Sequence, residues 1–177
     1  MLSLSALANW EMTVLASIRG ASGTLEEQDA QITRSGMYAE YPAIFAAYLE
    51  LALDSDDDAV AGEALKRAVF IAWYGFQAPP TMSGIAELPE SSIRRLLAAL
   101  DDAIAAGRGD DEARLMLSWY HSQLGYVFEH FGPLRALPGF IAGTTAAEIE
   151  AFRARGASFA GRGQLGRYWA GLPPITG

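Results

Sequence analysis

Two histidines are the side chains of this sequence best suited to acid–base chemistry or metal binding, because imidazole titrates near neutral pH. His121 and His130 stand nine residues apart, which corresponds to a rotation of about 180° on a continuous α-helix. They are therefore expected to face opposite sides of the helix and not to share a metal ion. The sequence contains no cysteine, and a catalytic zinc site needs about three protein ligands. We expect no metal site and keep His130 as the single candidate for an acid or base.

Glycine-rich and nucleophile motifs give little support to enzymatic chemistry. The sequence contains no Walker loop and no G-x-S-x-G nucleophile turn. Gly161 and Gly163 open a dinucleotide-type glycine motif, but no predicted strand precedes them, as such a motif requires. We therefore expect no cofactor and favour a protein that is not an enzyme.

Aromatic and polar side chains recur at steps of three and four along a helix predicted near residues 110–131, so they share one face. A neighbouring predicted helix ends in Trp73, Tyr74 and Gln77. If these two helix ends meet, the side chains line an aromatic cleft with a few polar tips, which is typical of a small-molecule site. The alternative, which we prefer, is that the aromatic residues belong to the core. The residues of the first helix are Met116, Trp119, Gln123, Tyr126 and His130.

Asp54, Asp56 and Asp58 occupy the first, third and fifth positions of a possible calcium loop. The sixth position is Ala59, where the loop needs a glycine, and the twelfth is Leu65, where it needs a glutamate. We therefore interpret these aspartates as caps that complement the positive N-terminus of the next helix.

A larger group of acids forms if the predicted helices run up and down through short connections. Alternate helix ends then meet at one end of the molecule, here called the acidic pole. Asp101 and Asp102 lie near a predicted helix C-terminus, where the helix dipole disfavours an acid, so capping does not explain the whole group. Such a pole would attract a basic partner, although a solvated surface is the simpler interpretation. The acidic pole comprises Asp54, Asp56, Asp57, Asp58, Asp101, Asp102, Asp110, Asp111 and Glu112, opposed mainly by Arg108.

The elements that must position these residues are all predicted to be helices. Apolar residues recur every three or four positions along almost every segment, and none alternates convincingly as a strand would. Caps, glycines and prolines divide the chain into about seven helices. They cover about residues 4–18, 24–36, 42–52, 56–76, 89–104, 110–131 and 144–155, with a possible last turn at 167–170.

We predict an all-α protein with one domain over residues 1–172 and a tail at 173–177. The expected arrangement is an irregular up-and-down bundle, and 177 residues are enough for a single core. The alternative is a short HEAT-like helical-repeat array. It is raised by the similarity of Val69–Tyr74 to Leu115–Tyr120, which lie 46 residues apart.

Charge and hydropathy narrow the classes of partner. The net charge of −8 opposes nucleic-acid binding. Residues 151–177 hold four arginines and no acid, so a nucleic-acid site could use only Arg153, Arg155, Arg162 and Arg167, with Tyr168 and Trp169 stacking. No apolar run approaches the roughly 18 residues of a membrane span. The first residues lack the basic start of a signal peptide. We expect no membrane association and a cytoplasmic location.

We therefore expect a non-enzymatic interaction protein of the bacterial cytoplasm whose acidic pole binds a basic protein partner. An inhibitor or immunity-type protein that neutralises a basic toxin is one version of this function. The alternative is a small-ligand-binding protein or enzyme at the aromatic cleft, with His130 as acid or base, Tyr126 and Gln77 orienting the ligand, and Trp73 stacking on it. A hydrophobic fraction of 51% also leaves room for a homodimer.

Overall fold

The computed structural model describes residues 2–173, except for the side chains of residues 156 and 157. Within that part of the chain all regular structure is helical, so the predicted all-α class is confirmed. The described residues form eleven α-helices, whereas the sequence predicts about seven. They are α1 (Leu4–Arg19), α2 (Leu25–Ser35), α3 (Glu40–Asp54), α4 (Asp58–Gln77), α5 (Pro80–Ser83), α6 (Glu90–Ala105), α7 (Asp111–Leu124), α8 (Tyr126–His130), α9 (Leu137–Ile141), α10 (Ala146–Arg153) and α11 (Gly163–Gly171). The four additional helices, α5, α8, α9 and α11, are short or lie in segments that were expected to be loops or a single turn.

Local capping explains where several helices begin. Thr24 and Glu27 form the predicted capping box of α2, in which the Thr24 hydroxyl accepts the Glu27 N–H and the Glu27 carboxylate accepts the Thr24 N–H. The helix ends at Gly36, whose φ of 74° favours glycine. A second capping box, formed by Thr145 and Glu148, starts α10. These boundaries agree with the sequence prediction because they depend on neighbouring residues only.

The central element is α4, which packs most extensively against α3. Ala64, Ala68 and Ala72 repeat at steps of four on α4 and are buried, so one face of α4 is small enough for a close approach. Phe70 and Trp73 are buried on other faces of the helix. The second half of α4 is therefore enclosed on nearly all sides.

Gly125 interrupts the helix that the sequence predicts over residues 110–131, so that α7 and α8 are separate. The Phe128 N–H binds the Gly125 carbonyl at 3.0 Å, three residues back instead of four. A Cβ at position 125 would lie 2.9 Å from the His121 carbonyl oxygen. The chain therefore passes from α7 to α8 through one tightened turn at Gly125, which keeps right-handed helical dihedral angles.

The core is one cluster with contributions from every α-helix of residues 2–173 except α5. The two similar segments, 69–74 and 115–120, meet inside it: the Trp73 ring stacks on Tyr120 at 4.4 Å, and the Trp73 Nε1–H donates to the Tyr120 carbonyl at 3.2 Å. The arrangement is a helical bundle. Across residues 2–173, none of the helices combines the length and apolar character needed to cross a membrane. Residues 174–177 of the predicted tail lie outside the described residues.

Candidate functional site

An open groove of about 670 Å³ lies between α6, the end of α3 and the first half of α4. Half of the twelve residues that line it are Ala or Gly, so the helices leave a trough between them. A Cβ added at Gly62 would meet nothing within 4 Å, which shows that packing does not require a glycine there. The lining residues are Ala52, Leu53, Asp58, Ala61, Gly62, Leu65, Arg95, Ala98, Ala99, Asp102, Ala103 and Arg108.

A narrow apolar crevice of about 40 Å³ adjoins this groove and reaches inward between α4, α6 and α7. The groove and the crevice share Gly62, Leu65, Ala103 and Arg108. The volume exceeds the roughly 10–15 Å³ that one water molecule requires. Its apolar walls suit the end of a hydrophobic side chain better than water. Those walls are Val69, Leu100, Met116, Leu117 and Tyr120.

The groove lies at the acidic pole. Asp58 from the start of α4 and Asp102 from the end of α6 line the same groove, together with Arg108. The side chains of Asp58, Asp102 and the nearby Asp56 are exposed, and the described residues provide them with no hydrogen bond or ion pair. Their carboxylates are therefore available to a partner.

Other acids of the pole are used inside the fold. Asp57 accepts the N–H groups of the first turn of α4. Asp110 caps α7 and pairs with Lys66 at 3.0 Å. Asp101 accepts three backbone N–H groups at residues 135–137, where α9 begins. Asp101 therefore also caps a helix, but this helix is α9 and not the neighbouring helix in the sequence. Asp111 lies 3.5 Å from Arg114.

A network of ion pairs includes Glu112 of the acidic pole and extends from it into the fold. Arg162 donates to Glu63 and Glu112, each at 2.6 Å, and Lys66 donates to Glu112 at 2.8 Å. Burial alone would raise the pKa of Glu112, but the hydrogen bonds from Arg162 and Lys66 outweigh it and lower that pKa. Glu63 also pairs with Arg67 at 2.7 Å. The network joins α4 and α7 to the start of α11, so it is structural.

The sequence analysis did not identify Glu11, a buried carboxyl of the kind often found at functional sites. Its side chain is 1% exposed, and its carboxylate accepts the Tyr48 hydroxyl at 2.6 Å and the Gln164 N–H at 3.0 Å. Burial raises the pKa of Glu11 to about 7, and these hydrogen bonds and the charge of Arg67 oppose the rise only in part. One signal was present in the sequence: Glu11 follows Leu7 by four positions on the apolar face of α1.

The glycines at 161, 163 and 166 have the full G-x-G-x-x-G spacing of a dinucleotide site. No strand precedes them in the described residues. A Cβ at Gly163 would collide with the Glu11 carboxylate, and one at Gly166 with the Phe159 carbonyl oxygen. The carboxylate that accepts the Gln164 N–H also occupies the helix N-terminus, where a phosphate would bind. These two glycines therefore serve packing.

The residues of the predicted aromatic cleft differ widely in burial. Trp73 is fully buried, as the core interpretation predicts. Tyr126 is 56% exposed, and Gln77 and Gln123 are exposed too. Trp119 is half-buried, and its Nε1–H donates to the Tyr168 hydroxyl at 2.8 Å. Tyr74 lines a different cleft with Tyr168.

His121 and His130 line one groove of about 470 Å³, together with Arg94 and Glu129. The sequence predicts that the two histidines face opposite sides of one helix, whereas they lie on separate helices, α7 and α8, and both line this groove. Among residues 2–173, no group of three or more His, Asp or Glu side chains is arranged to hold a metal ion.

The arginines near the end of the chain are not gathered on one surface. Arg162 is buried in the ion-pair network. Arg153 is buried, pairs with Glu150 at 2.7 Å and lies over the Trp119 ring. Trp169 is buried as well, so it cannot stack on a nucleic-acid base.

Comparisons with known proteins give no homologue. No family model matches the chain, and neither the curated proteins nor the solved structures give a match. A function for this chain must therefore be inferred from its groove, its charges and its clefts.

Proposed function

We propose that this protein is a non-enzymatic interaction protein whose groove binds a basic, amphipathic helix of a protein partner. The observation that carries the proposal is the coincidence of two features at one place. An apolar groove with an inner crevice lies at the end of the molecule where exposed carboxylates have no partner within the described residues.

The shape of the groove fits a helix better than a compact ligand. Half of its lining residues are Ala or Gly, so a helix can lie between α4 and α6 with its apolar face inward. Leu53, which is 39% exposed, offers apolar contact at the edge of the groove. The crevice can receive one apolar side chain of that helix as an anchor.

Charge determines which helices are favoured. Asp58 and Asp102 line the groove, and Asp56 lies just before α4. Arg95 and Arg108 also line it and balance the charges of Asp58 and Asp102, so the net negative charge comes from the surrounding acids of the pole, such as Asp56. Lys or Arg side chains flanking the apolar face of a partner would be attracted, and acidic ones would be repelled.

The proposal includes the wider setting expected from the sequence. Residues 1–172 act as one domain, an irregular up-and-down bundle in the cytoplasm of a bacterium. Inhibition of a basic toxin, as by an immunity-type protein, is one role in which an acidic groove of this kind would be used.

A designed peptide pair tests the proposal. One peptide has Leu at helical spacing with Lys at its flanks, and the other has the same Leu residues with Glu at its flanks. We expect the Lys peptide to bind, as measured by fluorescence anisotropy at low salt, and the Glu peptide not to bind. The double variant Asp58→Asn/Asp102→Asn should weaken the Lys peptide by about fivefold, since exposed ion pairs are individually weak.

Matched controls separate the groove from the general charge of the protein. Glu26→Gln/Glu87→Gln removes two exposed carboxylates elsewhere and should leave peptide affinity unchanged. Ala99→Leu fills the groove and should abolish binding, whereas Ala147→Leu on the exposed side of α10 should not. Equal affinity for the two peptides, or no effect of Ala99→Leu, would contradict the proposal.

A further inference from the structure

The charges that line the groove at the acidic pole are separated along its length, although they balance in number. Among the described residues, Asp58 and Asp102 supply the acids and Arg95 and Arg108 the bases. A groove without net charge still distinguishes partners if its acids and bases lie at different ends. The positions of these residues on α4 and α6 therefore determine which charge pattern a bound helix meets.

The acidic end of the groove lies where α4 begins and α6 ends. Gly62 of α4 and Ala103 of α6 line the same inner crevice, so the first turns of α4 lie beside the last turns of α6. Asp58 comes one turn before Gly62, and Asp102 immediately precedes Ala103. The carboxylates of Asp58 and Asp102 are therefore at the same end of the groove.

This end is acidic even though it also contains a base. Arg108 follows α6 and lines both the groove and the crevice. Asp56 lies just before α4 and is exposed. With Asp58 and Asp102, three carboxylates stand against one guanidinium, so the charge of this end is negative and favours a basic side chain.

Arg95 marks the other end of the groove. It precedes Asp102 by seven residues on α6, which is close to two full turns, so both side chains share one face of the helix. Their Cα atoms are separated by about 10 Å along the helix axis. Arg95 is exposed, and the described residues provide it with no hydrogen bond or ion pair. Its guanidinium is therefore available to a partner.

The wall between these two charges is made of small side chains. Ala98 and Ala99 line the groove between Arg95 and Asp102. Small residues allow a partner helix to approach α6 closely. Because two packed helices have the same rise per residue, side chains seven positions apart on the partner face Arg95 and Asp102 in turn.

We propose that the groove selects a helix whose own charges are separated: Lys or Arg at the end that lies against Asp58 and Asp102, and Asp or Glu seven positions away, against Arg95. The inference rests on the proposed function, because it requires a helix in this groove, and it makes Arg95 a residue that determines specificity. Attraction by the whole protein, whose net charge is −8, would favour Lys at every position. Arg95 favours Glu at one of them.

Three peptides that differ at one position test the proposal. Each has the Leu face and Lys at one end, and the residue seven positions from this Lys is Glu, Ala or Lys. Each is made in both sequence directions, and the direction that binds more tightly is used. Fluorescence anisotropy at low salt should give affinities that fall in the order Glu, Ala, Lys. We expect about twofold between neighbours, the size of one exposed ion pair.

Charge reversal at Arg95 completes the test. Arg95→Glu should invert the order, so that the peptide with Lys at the variable position binds most tightly. Arg34→Glu, at an exposed arginine on α2, makes the same change in net charge and should keep the wild-type order.

The outcomes separate this inference from the proposed function. If the wild-type protein prefers Lys at the variable position, or if Arg95→Glu keeps the wild-type order, Arg95 does not determine specificity and the inference is wrong. The proposed function then still holds, provided that peptide binding is weakened by Asp58→Asn/Asp102→Asn. If none of the peptides binds, both are wrong.

Discussion

The two halves of α4 show how differently one helix can be used. Its second half carries Phe70, Ile71 and Trp73, all fully buried, in an aromatic cluster with residues of α7 and α11. Its first half carries Ala61, Gly62 and Leu65, which remain partly exposed along the groove. Packing determines most residues of the second half. In the first half, Ala64 and Arg67 are also buried, and only the face that lines the groove is free to serve a surface.

Polar groups divide in the same way. In the second half, the Trp73 Nε1–H donates to the Tyr120 carbonyl, and the Trp169 Nε1–H of α11 donates to the Tyr120 hydroxyl, so these buried donors are satisfied within the core. In the first half, Asp58 is left exposed to solvent. The comparison teaches that stability and the proposed binding function are located at opposite ends of one helix.

The largest effect should follow from Trp73→Ala. This substitution removes a fully buried indole that stacks on Tyr120 at 4.4 Å. We expect the free energy of unfolding to fall by about 3–5 kcal/mol, as for other large-to-small changes in a core. Urea unfolding followed by far-ultraviolet circular dichroism measures it. Phe76→Ala, at an exposed position of the same helix, should cost much less. An equal loss of unfolding free energy in the two variants would contradict the distinction between packed and exposed positions of α4.

The next effect is a dependence of stability on pH that comes from Glu11. Its pKa is raised from 4.5 to about 7 in the folded protein, so between these values the folded state holds a proton that the unfolded state has released. This contribution to stability is therefore fully present below pH 4.5 and is lost as the pH rises to 7. The loss is about 3 kcal/mol.

Urea unfolding at a series of pH values tests this dependence. Glu11→Gln cannot ionise, so its stability should change less between pH 5 and pH 7.5, with the ionisation of Glu11 removed. Glu26→Gln, at an exposed carboxyl on α2, should follow the wild-type profile. If Glu11→Gln shows the wild-type pH dependence, Glu11 titrates as an ordinary carboxyl.

The smallest effect distinguishes two glycines of α4. A Cβ at Gly62 meets nothing within 4 Å, whereas one at Gly75 would lie 2.8 Å from the Ile85 Cγ2 atom. Gly62→Ala should therefore raise the free energy of unfolding by about 0.5–1 kcal/mol through helix propensity alone. Gly75→Ala should lower it. Thermal unfolding of both variants measures the two signs, and a destabilised Gly62→Ala would show that the groove is narrower than described.

Features that depend on neighbouring residues could be predicted from the sequence. The capping box of Thr24 and Glu27 and the buried face of α4 are of this kind, because cap geometry and helical periodicity are local. The meeting of Asp58 and Asp102 at one groove also follows from helices that run up and down. The groove itself could not be predicted, since it depends on how far apart α4 and α6 lie.

Features that depend on distant contacts could not be predicted. Asp101 caps α9 from 35 positions away, which no local pattern indicates. The end of α7 before Gly125 could not be predicted either, because a single glycine is often tolerated within a helix. Gln164 is buried through hydrogen bonds to Tyr41 and Ser83, which lie far from it in the sequence.

The contacts of α11 have a consequence for the order of folding during synthesis. The Glu11 carboxylate accepts the N–H of Gln164, which lies 153 residues later in the chain. The Glu63 carboxylate accepts hydrogen bonds from the Arg162 guanidinium, which lies 99 residues later. Until α11 has left the ribosome, Glu11 has only Tyr48 and Arg67 near it and Glu63 has only Arg67 and Lys66, and a buried carboxylate that lacks part of its hydrogen bonding is costly. The nascent chain can therefore form α1 to α10 as helices, but their tight packing around Glu11 and Glu63 must be among the last steps.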